Sequence, residues 1–249
     1  MGAMMRRYLC GAFLSVTLAL AAPAAALAAD VNNGSFEDGA FPQGVGFQTL
    51  WSGTPGATSI TGWTVTAGSV DWINGFWTAQ DGTKSVDMNG TPSAEVPLPA
   101  GTISQTLATP VNSTWVIQFY LAGNPDCGDG VKTLTVSATG AAPQTYTFAN
   151  TSATTHDAMG WTLETYTFVA SGPSTDLTFA ADPANASFCG PVLDNVSATV
   201  TIPVELTGAD CKNGGWRSMS DDEGNPFRNQ GDCVSFYARS GETPIGSGS

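Results

Sequence analysis

The sequence predicts an all-β protein built as a β-sandwich or jelly roll. From residue 60 to residue 200 apolar side chains recur with a period of two, as in the run Trp115 to Leu121, where every second residue is large and apolar. This alternation is typical of strands that bury one face. Turn signals such as Asp81-Gly82 and Asn89-Gly90 separate roughly ten short runs, which is the spacing of a sandwich. Outside the N-terminal segment the sequence shows no helical periodicity.

Residues 1–29 have the organisation of a secretory signal peptide. Arg6 and Arg7 supply a positive region, residues 9–20 are apolar, and the small residues that follow include the cleavage site Ala26-Leu27-Ala28. The apolar stretch is too short for a comfortable membrane span, and no second run of membrane length follows it. We therefore expect a secreted protein, extracellular or associated with the cell surface, with no membrane span after the signal is removed.

The chain carries a strong negative charge, which excludes some partners. Its 8 Lys and Arg stand against 21 Asp and Glu, and the formal net charge is −13. Arg6 and Arg7 leave with the signal, so the processed chain is more negative still. This balance disfavours binding to nucleic acid or to an anionic membrane surface. Solubility alone is a sufficient explanation of the acidic surface.

The predicted sandwich covers residues 30–203, and a small module follows it. Within the sandwich, residues 39–59 are rich in Gly, Pro and Thr, and we interpret them as a long loop that carries Phe41, Phe47 and Trp51. Residues 204–240 form a cysteine-bounded module that is too small to bury enough apolar surface without a crosslink. Residues 241–249 are rich in Gly and Ser and are expected to be flexible.

Four cysteines remain after Cys10 leaves with the signal: Cys127, Cys189, Cys211 and Cys233. An even number in a secreted chain indicates two disulfides, for which three pairings exist. We expect Cys127–Cys189 and Cys211–Cys233, because each bond then stays within one structural unit. Closing loops of these lengths is expected to stabilise the protein by about 3–4 kcal/mol each.

Two acidic segments bracket the sandwich, with Glu37 near its start and Asp194 near its end. If the first and last strands are neighbours, these carboxylates converge and need a positive charge between them. A Ca²⁺ ion fits this need, because it accepts carboxylate and carbonyl oxygens in flexible geometry. The alternative interpretation is that both carboxylates are solvated or cap turns.

A series of motifs resembles a known family. In chain order the motifs are Asn33-Gly34-Ser35-Phe36-Glu37, Gly62-Trp63-Thr64-Val65, Gly68-Ser69-Val70-Asp71-Trp72-Ile73, Asp81-Gly82, Ser85-Val86-Asp87-Met88-Asn89-Gly90, Ile103-Ser104-Gln105-Thr106, Leu121-Ala122-Gly123-Asn124-Pro125 and Gly190-Pro191-Val192-Leu193-Asp194-Asn195-Val196. Over residues 31–200 the chain is similar to the choice-of-anchor C family, the secreted bacterial branch of the domain of unknown function numbered 642.

The resemblance implies a galactose-binding-like jelly roll, an extracellular location and polysaccharide binding. Related carbohydrate-binding jelly rolls hold a structural Ca²⁺ through an early Glu and a late Asp, which Glu37 and Asp194 match. Residues 211–236 resemble a short cysteine-bounded segment found at the end of other secreted bacterial proteins. The role of that segment does not follow from the resemblance.

A glycan site requires aromatic faces for the apolar side of a pyranose ring, and amides or carboxylates for its hydroxyls. Residues 72–81 supply both kinds of group, and the next strand supplies two more polar side chains. We predict that Trp77, Asp87 and Asn89 bind the ligand. Asp71 and Trp51 are further candidates for the same site. The alternative for Trp77 is packing in the core.

Catalysis has little support in the sequence. The single histidine, His156, is expected in an exposed polar loop without a nearby Gly-x-Ser-x-Gly nucleophile motif. A carboxylate pair for glycoside hydrolysis stays open, with Asp71, Asp87 and Glu95 as its candidates. The segment Asp126-Cys127-Gly128-Asp129-Gly130 is too short for an EF-hand and is interpreted as a solvated turn.

The sequence therefore favours a secreted, non-catalytic protein that binds cell-wall or extracellular polysaccharide or a cell-surface glycan. The alternative is a structural or adhesive protein of the cell envelope that has no specific glycan ligand. In that case the small C-terminal module, rather than the sandwich, makes the attachment.

Overall fold

The structure of the protein is a computed structural model that describes residues 26–29, 31–92, 100–185, 187–203, 206–221 and 223–240. The described residues up to Pro203 form one compact unit, and those after it belong to a second. The first unit is rich in strands, and the second contains short helical turns and one α-helix.

Among the described residues the first unit contains twelve strands, numbered β1 to β12 in chain order. They span Ala26–Ala29, Phe47–Trp51, Thr64–Ala67, Ser69–Asn74, Lys84–Asp87, Thr102–Ala108, Thr114–Gly123, Gly130–Ala138, Gln144–Asn150, Thr162–Val169, Ser174–Ala181 and Pro191–Thr201. Short 3₁₀ turns at Pro55–Thr58, Pro125–Cys127 and Pro183–Asn185 connect some of them.

The strands form two antiparallel sheets. The larger sheet has the order β10-β7-β12-β5-β4-β2, with β1 also paired to β12, and the smaller has the order β3-β6-β11-β8-β9. Most neighbours in these sheets are distant in sequence, so the chain crosses between the sheets repeatedly, as in a jelly roll. The predicted all-β jelly-roll sandwich is confirmed.

The core lies between the sheets and is built by the alternation seen in the sequence. In β7, every second residue from Trp115 to Leu121 is buried. Phe119 of the larger sheet contacts Phe179 of the smaller sheet, with ring centroids 5.3 Å apart. Burying each such side chain contributes roughly 1.5–3 kcal/mol. Trp63 and Trp115 belong to this core, and Trp161 is partly buried against it.

The early and late segments of the sandwich lie side by side, as the sequence indicated. The Val196 amide donates a hydrogen bond of 2.8 Å to the Gly34 carbonyl. A Cβ atom on residue 34 would lie 1.8 Å from the Val196 carbonyl oxygen, so only glycine allows this approach. This contact brings the segment that carries Glu37 beside the irregularity of β12 between Asp194 and Ser197.

Two segments of the sandwich differ from the sequence expectation. Strand β1, Ala26–Ala29, lies within the predicted signal peptide and pairs with residues Ala198 to Thr201 of β12. Residues 1–25, which hold the rest of that signal, lie outside the described part of the chain. The predicted loop at residues 39–59 contains strand β2, Phe47–Trp51, because its backbone completes the edge of the larger sheet beside β4.

The C-terminal unit has a small core of its own around the Cys211–Cys233 disulfide, packed by Met219 and Phe227. It ends in an α-helix, α1, at Gln230–Ser240, which the sequence analysis missed. The Asn229 side chain accepts a hydrogen bond from the Asp232 amide and so caps this helix. The predicted flexible tail, residues 241–249, lies outside the described residues.

In the described part of the chain no helix is long and apolar enough to cross a membrane.

Candidate functional site

Two aspartates mark the candidate site on the larger sheet. Asp71 in β4 and Asp87 in β5 are partners in adjacent antiparallel strands. Their chain neighbours Trp72 and Val86 are fully buried in the core, so by strand alternation the two carboxylates lie on the opposite face of the sheet. Directly opposed residues have Cβ atoms about 5 Å apart, so the two acidic side chains are close neighbours.

Asp71 is held by neutral hydrogen-bond donors. Its Oδ1 accepts from the Thr49 hydroxyl at 2.5 Å and from the Thr91 amide at 3.1 Å. Its Oδ2 accepts from the Thr91 hydroxyl at 2.9 Å. The residue is only 6% exposed, and this burial raises the pKa of Asp71, although the hydrogen bonds from both threonines oppose the rise. The position of this carboxylate is therefore defined without a positively charged partner.

Asp87 is 0% exposed and connects three parts of the chain. Its Oδ1 accepts the backbone amides of Asn89 and Gly190, each at 2.9 Å, and its Oδ2 accepts the Asn124 side-chain amide at 2.7 Å. Burial raises the pKa of Asp87 to about 8 against the effect of these hydrogen bonds, and repulsion by Asp71 adds to the rise. Asp87 thereby joins β5 to the end of β7 and the start of β12.

The two aspartates line a cavity of about 210 Å³, which we call the aromatic pocket. Three phenylalanines on its wall are partly exposed: Phe47 by 40%, Phe76 by 39% and Phe188 by 53%. The Phe47 and Phe76 rings meet edge to face, with centroids 5.8 Å apart. The other residues that line the pocket are Asp71, Ile73, Trp77, Asp87, Thr91, Asn124 and Asp126. The pocket thus combines exposed ring surface with carboxylate and amide groups.

The structure places Asp71, Asp87 and Trp77 at this pocket, but not the other two predicted residues. Trp77 is buried, and its indole N–H donates to the Ser85 hydroxyl at 2.9 Å. Asn89 is buried too and lines a different cavity, of about 290 Å³. Trp51 is half-buried at the end of β2 and does not line the aromatic pocket.

The exposed aromatic surface of the pocket comes from residues that the sequence analysis did not select. Trp77 packs behind Phe76, with ring centroids 5.7 Å apart, so the phenylalanine rather than the tryptophan reaches solvent. The turn Asn74-Gly75 directly before Phe76 was a usable signal. Phe188 has no comparable signal in the sequence, because its position depends on the neighbouring Cys189 disulfide.

His156 joins two loops beside the pocket instead of lying free. Its Nε2 is 2.6 Å from Asp126 Oδ1, and its Nδ1 is 2.9 Å from the Phe76 carbonyl oxygen. The Thr78 amide in turn donates to the His156 carbonyl at 2.8 Å. Asp126 was interpreted as part of a solvated turn, and its side chain is indeed partly exposed, but it also anchors this histidine. These contacts hold Phe76 in place.

The two residues predicted to bind calcium both contact the loop at residues 80–84. Glu37 Oε1 accepts the amides of Thr83 at 2.7 Å and Lys84 at 2.6 Å, and its Oε2 accepts from the Thr83 hydroxyl and the Lys84 ammonium, each at 3.1 Å. Asp194 is buried, and its Oδ2 accepts the amides of Gln80 at 2.7 Å and Asp81 at 3.0 Å. Each carboxylate therefore fixes one end of the same loop.

The hydrogen bonds at the Glu37 and Asp194 carboxylates do not fit a cation bound between them. The four lone pairs of the Glu37 carboxylate face four hydrogen-bond donors, and Asp194 Oδ1 accepts a further amide, that of Asn195, at 2.6 Å. The Lys84 ammonium already supplies the positive charge at Glu37. Within the described ranges no three His, Cys, Asp or Glu side chains are grouped as a metal site. Calcium at Glu37 and Asp194 stays a prediction, and these oxygens would have to exchange their N–H partners for it.

Both expected disulfides are present, and one supports the pocket. Cys127–Cys189 joins residues that follow Asp126 and Phe188, so it holds together two segments of the pocket wall. Cys211–Cys233 lies in the C-terminal unit. Glu95, a candidate for a catalytic pair, lies outside the described residues.

The chain is similar to several known proteins. Over 176 residues it is 28% identical to halomucin from Haloquadratum walsbyi, a match that covers 67% of this chain and 2% of halomucin. Among solved structures it is similar to TmCBM61 in complex with β-1,4-galactotriose, with 17% identity, a TM-score of 0.40 and coverage of 68% of this chain and 97% of that one. The CBM22-1 xylan-binding domain of Paenibacillus barcinonensis Xyn10C gives 17% identity, a TM-score of 0.41 and coverage of 70% and 93%.

The resemblance to a family found in the sequence is confirmed at the level of the whole domain. The narrower grouping, choice-of-anchor C, and the resemblance of the C-terminal segment stay predictions. Residues 29–199 match the family described as Protein of unknown function (DUF642), and the chain belongs to that family.

Proposed function

We propose that this protein is a secreted, non-catalytic carbohydrate-binding protein whose aromatic pocket takes one unit of an extracellular or cell-wall polysaccharide. The observation that carries the proposal is the exposed ring surface of Phe47, Phe76 and Phe188 around buried, hydrogen-bonded carboxylates. A pyranose has an apolar face and a rim of hydroxyls, so it needs both kinds of contact at once.

The position of the polar groups suits ligand binding better than catalysis. Asp87 is fully buried, and each of its oxygens already accepts hydrogen bonds, so it is poorly placed to transfer a proton to a glycosidic oxygen. A hydrolase needs two carboxyl groups that reach opposite sides of the scissile bond. Asp71 and Asp87 lie instead on one face, at the base of one pocket.

Secretion is the natural setting for this proposal. The N-terminal segment has the organisation of a signal peptide, and two disulfides join the four cysteines that remain after it. Such bonds persist in oxidising environments outside the cytosol. A polysaccharide of a cell wall or cell surface is a ligand that a secreted protein meets there.

The proposal is tested by measuring retention on a panel of insoluble polysaccharides and soluble oligosaccharides. Phe76→Ala removes exposed ring surface and is expected to weaken binding about tenfold, since one aromatic contact contributes about 0.5–1.5 kcal/mol beyond its buried area. Leu163→Ala is the matched control, because Leu163 is an exposed apolar residue on β10 that does not line the pocket.

Three outcomes decide the question. Binding that is lost in Phe76→Ala and kept in Leu163→Ala supports the proposal. Binding that both variants keep contradicts the choice of pocket. Absence of binding to every glycan, with the protein still retained on the producing cells, favours the structural or adhesive envelope protein instead.

A further inference from the structure

The aromatic pocket has an unbalanced charge. Of the described residues that line it, three are aspartates, namely Asp71, Asp87 and Asp126, and none is Lys or Arg. Of these three, Asp126 contacts a described basic side chain directly, with His156 Nε2 at 2.6 Å from its Oδ1. The deeper part of the pocket is therefore acidic, while its wall is aromatic.

The neighbouring ammonium groups are engaged elsewhere. Lys84 pairs with Glu37 at 3.1 Å, outside the pocket. Lys132 attracts Asp87 electrostatically, but its Nζ donates to the Cys189 carbonyl at 2.9 Å and it lines the separate 290 Å³ cavity. No described basic side chain takes a position beside Asp71 inside the pocket.

Asp71 is the group with capacity left for a ligand. Its Oδ2 accepts one hydrogen bond, from the Thr91 hydroxyl, so one of its lone pairs has no donor among the residues that the structure describes. A positive group in the pocket would complete the hydrogen bonding of Asp71 and balance its charge.

We propose that the pocket selects a sugar unit that carries a protonated amine, such as a 2-amino-2-deoxyhexose, whose ammonium binds Asp71 while its ring packs on Phe76 and its neighbours. This inference rests on the proposed function, because it concerns the same pocket. An ammonium donates charge-assisted hydrogen bonds, which are stronger than those of a neutral hydroxyl. An N-acetylated amine lacks the charge, and a uronic acid is repelled by Asp71.

Titration calorimetry with short soluble oligosaccharides tests the proposal. The probes are a glucosamine oligomer, the N-acetylglucosamine oligomer of equal length and a galacturonic acid oligomer, all in about 0.15 M salt so that the net charge of the protein is screened. The glucosamine oligomer is expected to bind at least about tenfold more tightly than its acetylated counterpart, and the galacturonic acid oligomer is expected not to bind.

Asp71→Asn removes the charge and keeps the shape. Both threonine hydroxyls around it can rotate to accept from the new amide, and the Thr91 amide keeps its acceptor, so the fold is expected to persist. Asp176→Asn is the control, since it makes the same change in net charge at an exposed position on the smaller sheet. Only Asp71→Asn should abolish the preference for the amine.

The results separate this inference from the function on which it rests. Equal or tighter binding of the acetylated oligomer overturns the inference, as does an equal loss of the preference in Asp176→Asn. Binding of neutral glycans that depends on Phe76 but shows no preference for an amine overturns this inference alone. Absence of binding to any glycan overturns both. If Asp71→Asn does not fold, the selectivity of the wild-type protein decides the matter by itself.

Discussion

The stability of this protein is expected to fall as the pH rises from about 5 to about 8. Burial raises the pKa of Asp87 to about 8 and that of Asp194 to about 7, whereas an ordinary aspartate has a pKa of 3.8. Between these values the folded protein keeps protons that the unfolded chain has released. The stability that they contribute is fully present below pH 3.8 and is lost as the pH rises through 7 and 8.

The size of the effect follows from the same values. The difference between about 8 and 3.8 corresponds to about 6 kcal/mol for Asp87, and that between about 7 and 3.8 to about 4 kcal/mol for Asp194. These are upper limits, because a buried site relaxes when it becomes charged. Glu37 has the opposite sign: its pKa is lowered, so its contribution is present above pH 4.5 and is lost in acid. The maximum of stability is therefore expected near pH 4, where the loss from the two aspartates begins and the contribution of Glu37 is being gained.

Urea unfolding at pH 5 and pH 8 measures this dependence. The free energy of unfolding is expected to be lower at pH 8 by about 2–6 kcal/mol. Asp87→Asn places a new amide against the Asn124 amide donor, so it should cost about 1–3 kcal/mol at pH 5, yet the difference from wild type should narrow at pH 8. Asp176→Asn, at an exposed position, should keep the wild-type slope. Equal or greater stability of the wild type at pH 8 would refute the reasoning.

Three further predictions concern stability. EDTA is expected to leave the melting temperature unchanged, because N–H groups occupy the carboxylates of Glu37 and Asp194; a fall that Glu37→Gln abolishes would instead support the prediction of calcium at these residues. Replacing both cysteines of the Cys127–Cys189 bond, which spans 62 residues, should lower the free energy of unfolding by up to about 4 kcal/mol. Replacing those of the Cys211–Cys233 bond, which spans 22 residues, should cost about 3 kcal/mol within its own unit. Denaturant titration under non-reducing conditions checks which of the two losses is larger. A chain that begins at residue 30 lacks β1, which leaves Ala198 to Thr201 of β12 without a strand partner on one side. Its melting temperature should therefore be lower than that of a chain that keeps Ala26–Ala29. N-terminal sequencing of the secreted protein shows which of the two forms is made.

Strand alternation was readable because it depends only on neighbours in the chain. The pattern at Trp115 to Leu121 identifies the buried face of β7 whichever strand lies beside it. By contrast, β2 was missed because its residues are held by pairing with β4, 18 to 26 residues further along the chain, and not by their own composition. Helix α1 was missed because it has only eleven residues. A segment of this length covers about three helical turns, which is too few for the 3.6-residue period of its apolar face to be recognised.

The sequence analysis identified the base of the candidate site better than its wall. Asp71 and Asp87 were selected because they supply carboxylates for sugar hydroxyls beside the aromatic residues of segment 72–81, and this signal is local. The sequence analysis selected Trp77, which lines the pocket but is buried, whereas the exposed ring surface comes from Phe76. Which of two adjacent aromatic residues faces solvent depends on what packs on them, here Ser85 on one side and His156 on the other.

The amino-acid sequence by itself determined the all-β class, the presence of two disulfides and the acidic character of the molecule. Each of these follows from periodicity, spacing or composition, which are properties of the chain. The tertiary structure alone decided that Glu37 and Asp194 serve one loop through N–H groups, and that Phe47, Phe76 and Phe188 share one pocket. These residues are far apart in sequence, and only the crossing of strands between two sheets sets the distances and partners on which their chemistry depends.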